Sequence, residues 1–260
     1  MRKHRRLILL TSALAAAVVL AVFVRSQYVL PVLMYHSVKS SVPEGNRLIV
    51  SEATFERQMR FLRERGYTVL SLADIGDYIE RQKKLPPRAV VITFDDGYRD
   101  NYTYAFPVLK KYNIPATIFL IVDSVGEPDK LTWDQIREMR DSGLISFGSH
   151  TRSHPFLTSL GSPDDLRREI VGSKTILEQR LGGSVETFCY PMGRFNETIR
   201  QTVKDAGYTV AVVTNPGKSC PSNDVFAFKR LRISENAGNL FIFWVETSGF
   251  YNLIREHRHK

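Results

Sequence analysis

Residues 89 to 97 read Ala-Val-Val-Ile-Thr-Phe-Asp-Asp-Gly. A continuous apolar run rich in β-branched residues, ended by two acids and a glycine, reads as a buried strand that delivers two carboxylates to one end of a sheet. Adjacent strand residues point to opposite sides, so Asp95 and Asp96 share a site only if the backbone turns beyond the strand, and Gly97 permits that turn.

Six histidines are present, and His4, His257 and His259 fall in a basic leader or a polar tail. The three in the body, His36, His150 and His154, follow short apolar runs much as Asp95 does. In a parallel α/β protein, groups at the carboxyl ends of different strands converge on the face where ligands bind. The chain thus gathers its body histidines around its acid pair.

Strand and helix patterns alternate from residue 28. A first strand is expected over Tyr28 to Tyr35 and helices over Asp74 to Lys84 and Tyr102 to Lys111. Another helix, Asp164 to Leu181, carries Leu166, Ile170, Ile176, Leu177 and Leu181 as its apolar stripe. A late strand is expected over Lys229 to Ile233, and Leu240 to Val245 reads equally as helix or strand. Seven or eight such alternations in one domain favour a β/α barrel over an open sheet.

The net charge of +9 suggests nucleic acid until it is divided. Arg2, Lys3, Arg5, Arg6 and Arg25 face no acid before residue 27, so five of the nine charges belong to the leader. The remainder is no nucleic-acid footprint. Leu7 to Val24 carries no charge, and as a helix would span about 27 Å, close to the apolar thickness of a bilayer. Residues 1–26 are therefore expected to be an uncleaved membrane anchor, or secondly a signal peptide, that places a catalytic domain of residues 27–260 outside the cytoplasm. Cys189 and Cys220 are consistent with one disulfide, and a buried free thiol at Cys189 is an equal reading.

His150-Thr151-Arg152-Ser153-His154 spaces two imidazoles four residues apart, on one face if the segment is a helical turn. Two histidines and one carboxylate leave positions open on a metal such as zinc, as hydrolysis requires. The same set describes a non-haem iron oxygenase, although the second acid beside the ligand favours hydrolysis.

Three stretches, Thr93-Phe94-Asp95-Asp96-Gly97, Ser149-His150-Thr151-Arg152-Ser153-His154-Pro155 and Phe188-Cys189-Tyr190-Pro191-Met192-Gly193, resemble in order and spacing the first three motifs of the polysaccharide deacetylases, carbohydrate esterase family 4 with its NodB-homology domain. The resemblance implies a distorted (β/α)7 barrel and metal-dependent deacetylation of a glycan. It implies Asp96, His150 and His154 as metal ligands, Asp95 as general base and the backbone N–H of Met192 as oxyanion donor. The metal is expected to be zinc and the partner a glycan, with Tyr98, Tyr190 and Pro191 as sugar contacts, although Tyr98 and Tyr190 read equally as barrel packing.

The chain departs from the family twice. The arginine that opens the third motif and orients the aspartate is replaced by Cys189, and the late histidine motif is missing from residues 226–233. Arg230 or Arg232 is expected to supply the cation, and His36 the acid for the leaving amine. Leu33-Met34-Tyr35-His36 resembles the amino-terminal motif of a branch acting on β-1,6-linked poly-N-acetylglucosamine. The two departures also leave open a catalytically silent glycan-binding protein held at a membrane.

Overall fold

The computed structural model describes residues 2–26, 28–81, 83–214 and 224–251. In chain order the named elements are α1 (Arg2–Ser26), β1 (Val32–Tyr35), β2 (Ser37–Lys39), β3 (Ile49–Ser51), α2 (Glu52–Glu64), β4 (Thr68–Leu70), α3 (Leu72–Glu80) and β5 (Ala89–Phe94). There follow α4 (Phe106–Tyr112), β6 (Ala116–Leu120), α5 (Trp133–Asp141), β7 (Ile145–Ser149), α6 (Pro163–Leu181), β8 (Thr187–Cys189), α7 (Glu197–Asp205), β9 (Val210–Thr214), β10 (Phe228–Arg232) and α8 (Leu240–Thr247).

All six residues of β5 are buried, as its apolar run requires. It pairs in parallel with β1 and β6, and the ladder continues through β7, β8, β9 and β10 back to β1. Among the described residues, seven parallel strands thus close a ring with helices around it, consistent with the (β/α)7 expectation. The distortion has a specific form. β4 pairs with Ala89 to Val91 and β6 with Thr93 and Phe94, while β1 spans Val91 to Phe94. Since β1 overlaps both in register, it occupies one edge of β5, and β4 and β6 share the other.

Several elements begin or end differently from the sequence pattern. β1 starts after Pro31, which has no N–H to give a ladder. The helix expected from Tyr102 opens instead with a π-helical turn, Asn101–Ala105. Three hydrogen bonds tie that turn down. Asp100 accepts from Ser37 Oγ and from the Val38 N–H, and Asn101 Nδ2 donates to the His36 carbonyl at 2.8 Å. Widening by one residue lets the helix start reach the β1 corner, and π turns are common at such working positions.

The Leu240 to Val245 ambiguity resolves as helix, capped by Asn239, whose side chain accepts from the Phe241 N–H. Cys189 is a buried free thiol, and Cys220 lies outside the described residues. The expected membrane span falls on α1, where the side chains of residues 2–10, 21, 25 and 26 lie outside the described set. Among the described residues, no helix is long and apolar enough to cross a membrane.

Candidate active site

The carboxyl ends of β1, β5, β7, β8, β9 and β10 surround a cleft of about 350 Å³. His36, Asp95, Asp96, His150, His154 and Met192 line it, together with Arg232, Tyr190, Thr214, Met34 and Leu48. Apart from Leu48, these residues lie at or just beyond the carboxyl ends of those strands, which brings together positions from 34 to 232.

The turn that brings the two acids together begins one residue earlier than expected. Asp96 itself adopts a left-handed backbone, φ +69°, and Gly97 continues it at +61°. Short polar side chains tolerate this region best among non-glycine residues. Asp95 is consequently buried at 4% exposure and Asp96 faces the cleft.

Of the two candidate arginines, only Arg230 reaches Asp95. Its Nη1 lies 2.6 Å from Oδ1 and its Nη2 2.7 Å from Oδ2, a fork on a fork, with Arg230 itself 1% exposed. Thr93 Oγ1 accepts a further bond from Nη1 at 3.1 Å, and the Cys189 sulfur accepts from Nη2 at 3.1 Å. Burial works to raise the Asp95 pKa, but the charge and hydrogen bonds of Arg230 overcome it and hold the carboxyl well below the usual range. Burial also pushes the Cys189 thiol upward. Cys189 leaves room for an arginine entering from β10 where the family places one in the third motif. Arg232, two residues on, points the same way and sits at the cleft mouth, away from Asp95.

His36 Nε2 is 3.9 Å from Asp95 Oδ2. Burial lowers its pKa below the ordinary imidazole value against the pull of Asp95 and Asp96.

The two remaining histidines converge without the helical turn their spacing suggests. Thr151 and His154 both take left-handed backbones, φ +67° and +60°, and the segment is a loop. Its shape is set by side chains that satisfy its N–H groups. Ser149 Oγ accepts from Thr151, and Thr151 Oγ1 accepts from His154. Glu169 of α6 accepts from the N–H groups of Arg152 and Ser153, both at 2.9 Å, and from Ser153 Oγ at 2.8 Å. Sequence reasoning missed Glu169, although an acid on the buried stripe of α6, beside Leu166 and Ile170, was the available signal.

His150 and His154 present Nε2 atoms 3.1 Å apart, and these lie 3.6 and 3.9 Å from Asp96 Oδ1. The Nδ1 atom of His150 is 2.8 Å from the Cys189 carbonyl, an acceptor only, so Nδ1 carries the proton and Nε2 offers a lone pair to the cleft. The three donor atoms all fall within 4.8 Å of one another, which suits a single cation. Asp95, His150 and Cys189 are as close together, but Arg230 occupies that carboxylate and burial keeps that thiol protonated. The first set fits a metal and the second does not.

The aromatic candidates are not open platforms. Tyr190 is fully buried, stacked on Phe195 at 4.6 Å and edge-on to Phe188. The Tyr98 ring carries the Lys130 ammonium 3.8 Å from its centre, and burial and Asp96 push its hydroxyl up to about 12. Pro191 is buried in the turn that leads to Met192, whose backbone is left-handed at φ +54° and whose side chain is exposed.

The family model for polysaccharide deacetylases matches residues 82–211. YxkH of Bacillus subtilis, a candidate polysaccharide deacetylase, is 38% identical over 219 residues, 84% of this chain and 76% of the relative. The poly-β-1,6-N-acetyl-D-glucosamine N-deacetylase of Staphylococcus aureus is 30% identical over 76% of this chain and 72% of its own length. The Streptococcus pyogenes deacetylase PplD, solved with acetate, superposes with a TM-score of 0.76 at 33% identity, over 83% of this chain and 97% of its own.

Proposed function

The chain belongs to the polysaccharide deacetylase family of hydrolases, and on that premise we propose that it removes N-acetyl groups from an N-acetylglucosamine polymer with the help of a divalent metal. The staphylococcal relative acts on poly-β-1,6-N-acetyl-D-glucosamine, which supports that class of substrate. The observation that carries the mechanism is the division of labour between adjacent acids, Asp95 held by Arg230 and Asp96 facing two imidazoles.

Asp96, His150 and His154 would hold the metal, and one carboxylate with two imidazoles favours zinc. Such a cation would polarise the acetyl carbonyl and lower the pKa of water. Asp95 takes the proton from the attacking water. A carboxylate held so far below its ordinary value is a weak base, so it suits a water that is itself acidified. Arg230 keeps Asp95 ionised and fixes its orientation. The Met192 N–H, at the cleft mouth, is the proposed donor to the tetrahedral oxyanion. His36 is the proposed acid toward the leaving nitrogen, and because burial lowers its pKa its protonated form gives up the proton more readily than an ordinary imidazolium. Because Arg230 supplies the cation that Cys189 does not, the silent-protein reading loses its main support.

The uncharged run Leu7 to Val24 behind Arg2, Lys3, Arg5 and Arg6 supports an anchor that places this site outside the cytoplasm. Acetate release from N-acetylglucosamine polymers of different linkage, with and without a chelator, tests the activity. No release from any polymer by the metal-loaded protein would sink it. Retention of the full chain in membranes after carbonate washing tests the anchor.

A further inference from the structure

α8 is built inside out. Its buried positions include Glu246 and Thr247, while Phe241 and Trp244 stand 68% and 50% exposed with Leu240 and Ile242 beside them. A helix packed on a soluble core normally turns its apolar stripe inward. Here Phe243 turns inward with the two polar residues, and Thr247 is anchored by hydrogen bonding with Tyr67 Oη at 3.0 Å. The outward apolar face continues into a cleft of about 400 Å³ floored by Phe61 and Tyr67, where Arg65 and Arg88 are the charged residues. An exposed tryptophan and phenylalanine flanked by arginines form the combination found at a membrane interface, where amphipathic rings lie at headgroup level and cations meet anionic lipid.

The position of the patch identifies its occupant. Arg65 and Tyr67 precede β4 and Arg88 precedes β5, so the patch lies at the amino ends of the strands, opposite the cleft. The leader joins the barrel at this end. Val29 N–H donates to the Gly249 carbonyl at 2.9 Å, and Tyr28 packs edge-on against Phe250, just beyond α8. Gly249, at φ +82°, has no room for a Cβ because Tyr28 would lie 2.2 Å from it. Only residue 27 separates α1 from Tyr28, a reach of roughly 7 Å.

We infer that the face formed by Phe241, Trp244, Arg65 and Arg88 rests on the anionic surface of the bilayer in which the leader is anchored. The barrel then lies with its amino end down and its catalytic cleft turned away from the lipid, toward polymer outside. This inference rests on the leader being a membrane segment.

Tryptophan quenching tests the contact. Trp133 and Trp244 are the two tryptophans, so full-length Trp133→Phe reports from Trp244 alone. It is reconstituted into vesicles of phosphatidylglycerol and phosphatidylcholine carrying bromine near the headgroups. Emission shifted to the blue and quenched by the bromine, relative to the same protein in detergent, is the expected result. Floating with the vesicles while Trp244 stays unshifted and unquenched would overturn the inference and leave the anchor intact. Failure to float would instead refute the anchor. Concentration-dependent shielding of Trp244 in detergent, without lipid, would overturn the inference in favour of a second copy of the chain.

Discussion

Arg230 closes a planar fork on Asp95 across 135 residues of sequence, with both nitrogen-to-oxygen distances below 2.8 Å and both residues buried. The pair spans the ring from β10 to the end of β5, with β1 between them. It therefore bears on both stability and chemistry.

Removing one partner strands the other charge in the interior. Arg230→Ala is expected to lose about 3–5 kcal/mol of stability by urea denaturation, along with activity. Arg230→Lys restores charge without the fork, so it should recover part of the stability and little of the activity. A loss under about 1 kcal/mol in the alanine variant would show that the pair is not held as described.

The same pair sets an acid limit. In the unfolded chain Asp95 titrates near ~3.9, and in the fold its pKa is depressed. Its stabilising contribution is thus complete above about pH 5 and is lost as pH falls through 4 toward the folded value. Unfolding midpoints below pH 4 should fall more steeply in the wild type than in the Asp95→Asn, Arg230→Met double variant. Parallel curves would disprove the linkage.

Asp96→Ala and His154→Ala should each lose bound metal and deacetylation together, while the thermal transition of the metal-free protein moves little, because the barrel core does not rest on them. Elemental analysis of the purified variants measures this. Full metal occupancy in either would remove that residue from the ligand set.

Glu169→Gln keeps the shape of the side chain but removes its charge and one of the two oxygens that between them accept from the Arg152 and Ser153 N–H groups and from Ser153 Oγ. A looser loop should weaken metal affinity by roughly 10–100-fold, in line with the loss of groups that orient ligands. Competition with a chromophoric chelator reads the change, and wild-type affinity would reduce Glu169 to a packing role.

Activated esters separate His36 from the rest of the site. An amide expels an amine that needs a proton, whereas an aryl acetate expels a phenolate that hardly does. His36→Ala should lose about 10²–10⁴-fold on N-acetylated sugar and far less on the ester. Asn101→Ala, which frees the His36 carbonyl, should show the same asymmetry in weaker form. Equal losses on both substrates would return His36 to a structural role.

What the sequence disclosed follows from how local each signal is. Asp95, Asp96, His150 and His154 lie in short contiguous motifs at strand ends, so residue type and spacing were enough to find them. Choosing Arg230 over Arg232 was not possible by alternation, because residues two apart on a strand face the same way. Height in the barrel separates them, and only the fold supplies height. Whether the HxxxH segment is a helical turn was open, because spacing reports proximity without backbone, and Glu169, which shapes the loop it forms, sits 15 residues beyond it. α8 stayed ambiguous because an unbroken apolar run carries no periodicity, and its inverted orientation depends on what it packs against.

Ring closure by β1 also dictates an order of assembly. A chain made from its amino end has Asp96, His150 and His154 in hand once β7 is formed, whereas β1 keeps one edge unpaired until β10 arrives. The same strand, β10, that seals this edge brings Arg230. Truncated or half-made chains would therefore retain the donors for a metal yet lack the cation that holds Asp95, so completion of the barrel and completion of the catalytic apparatus are one event.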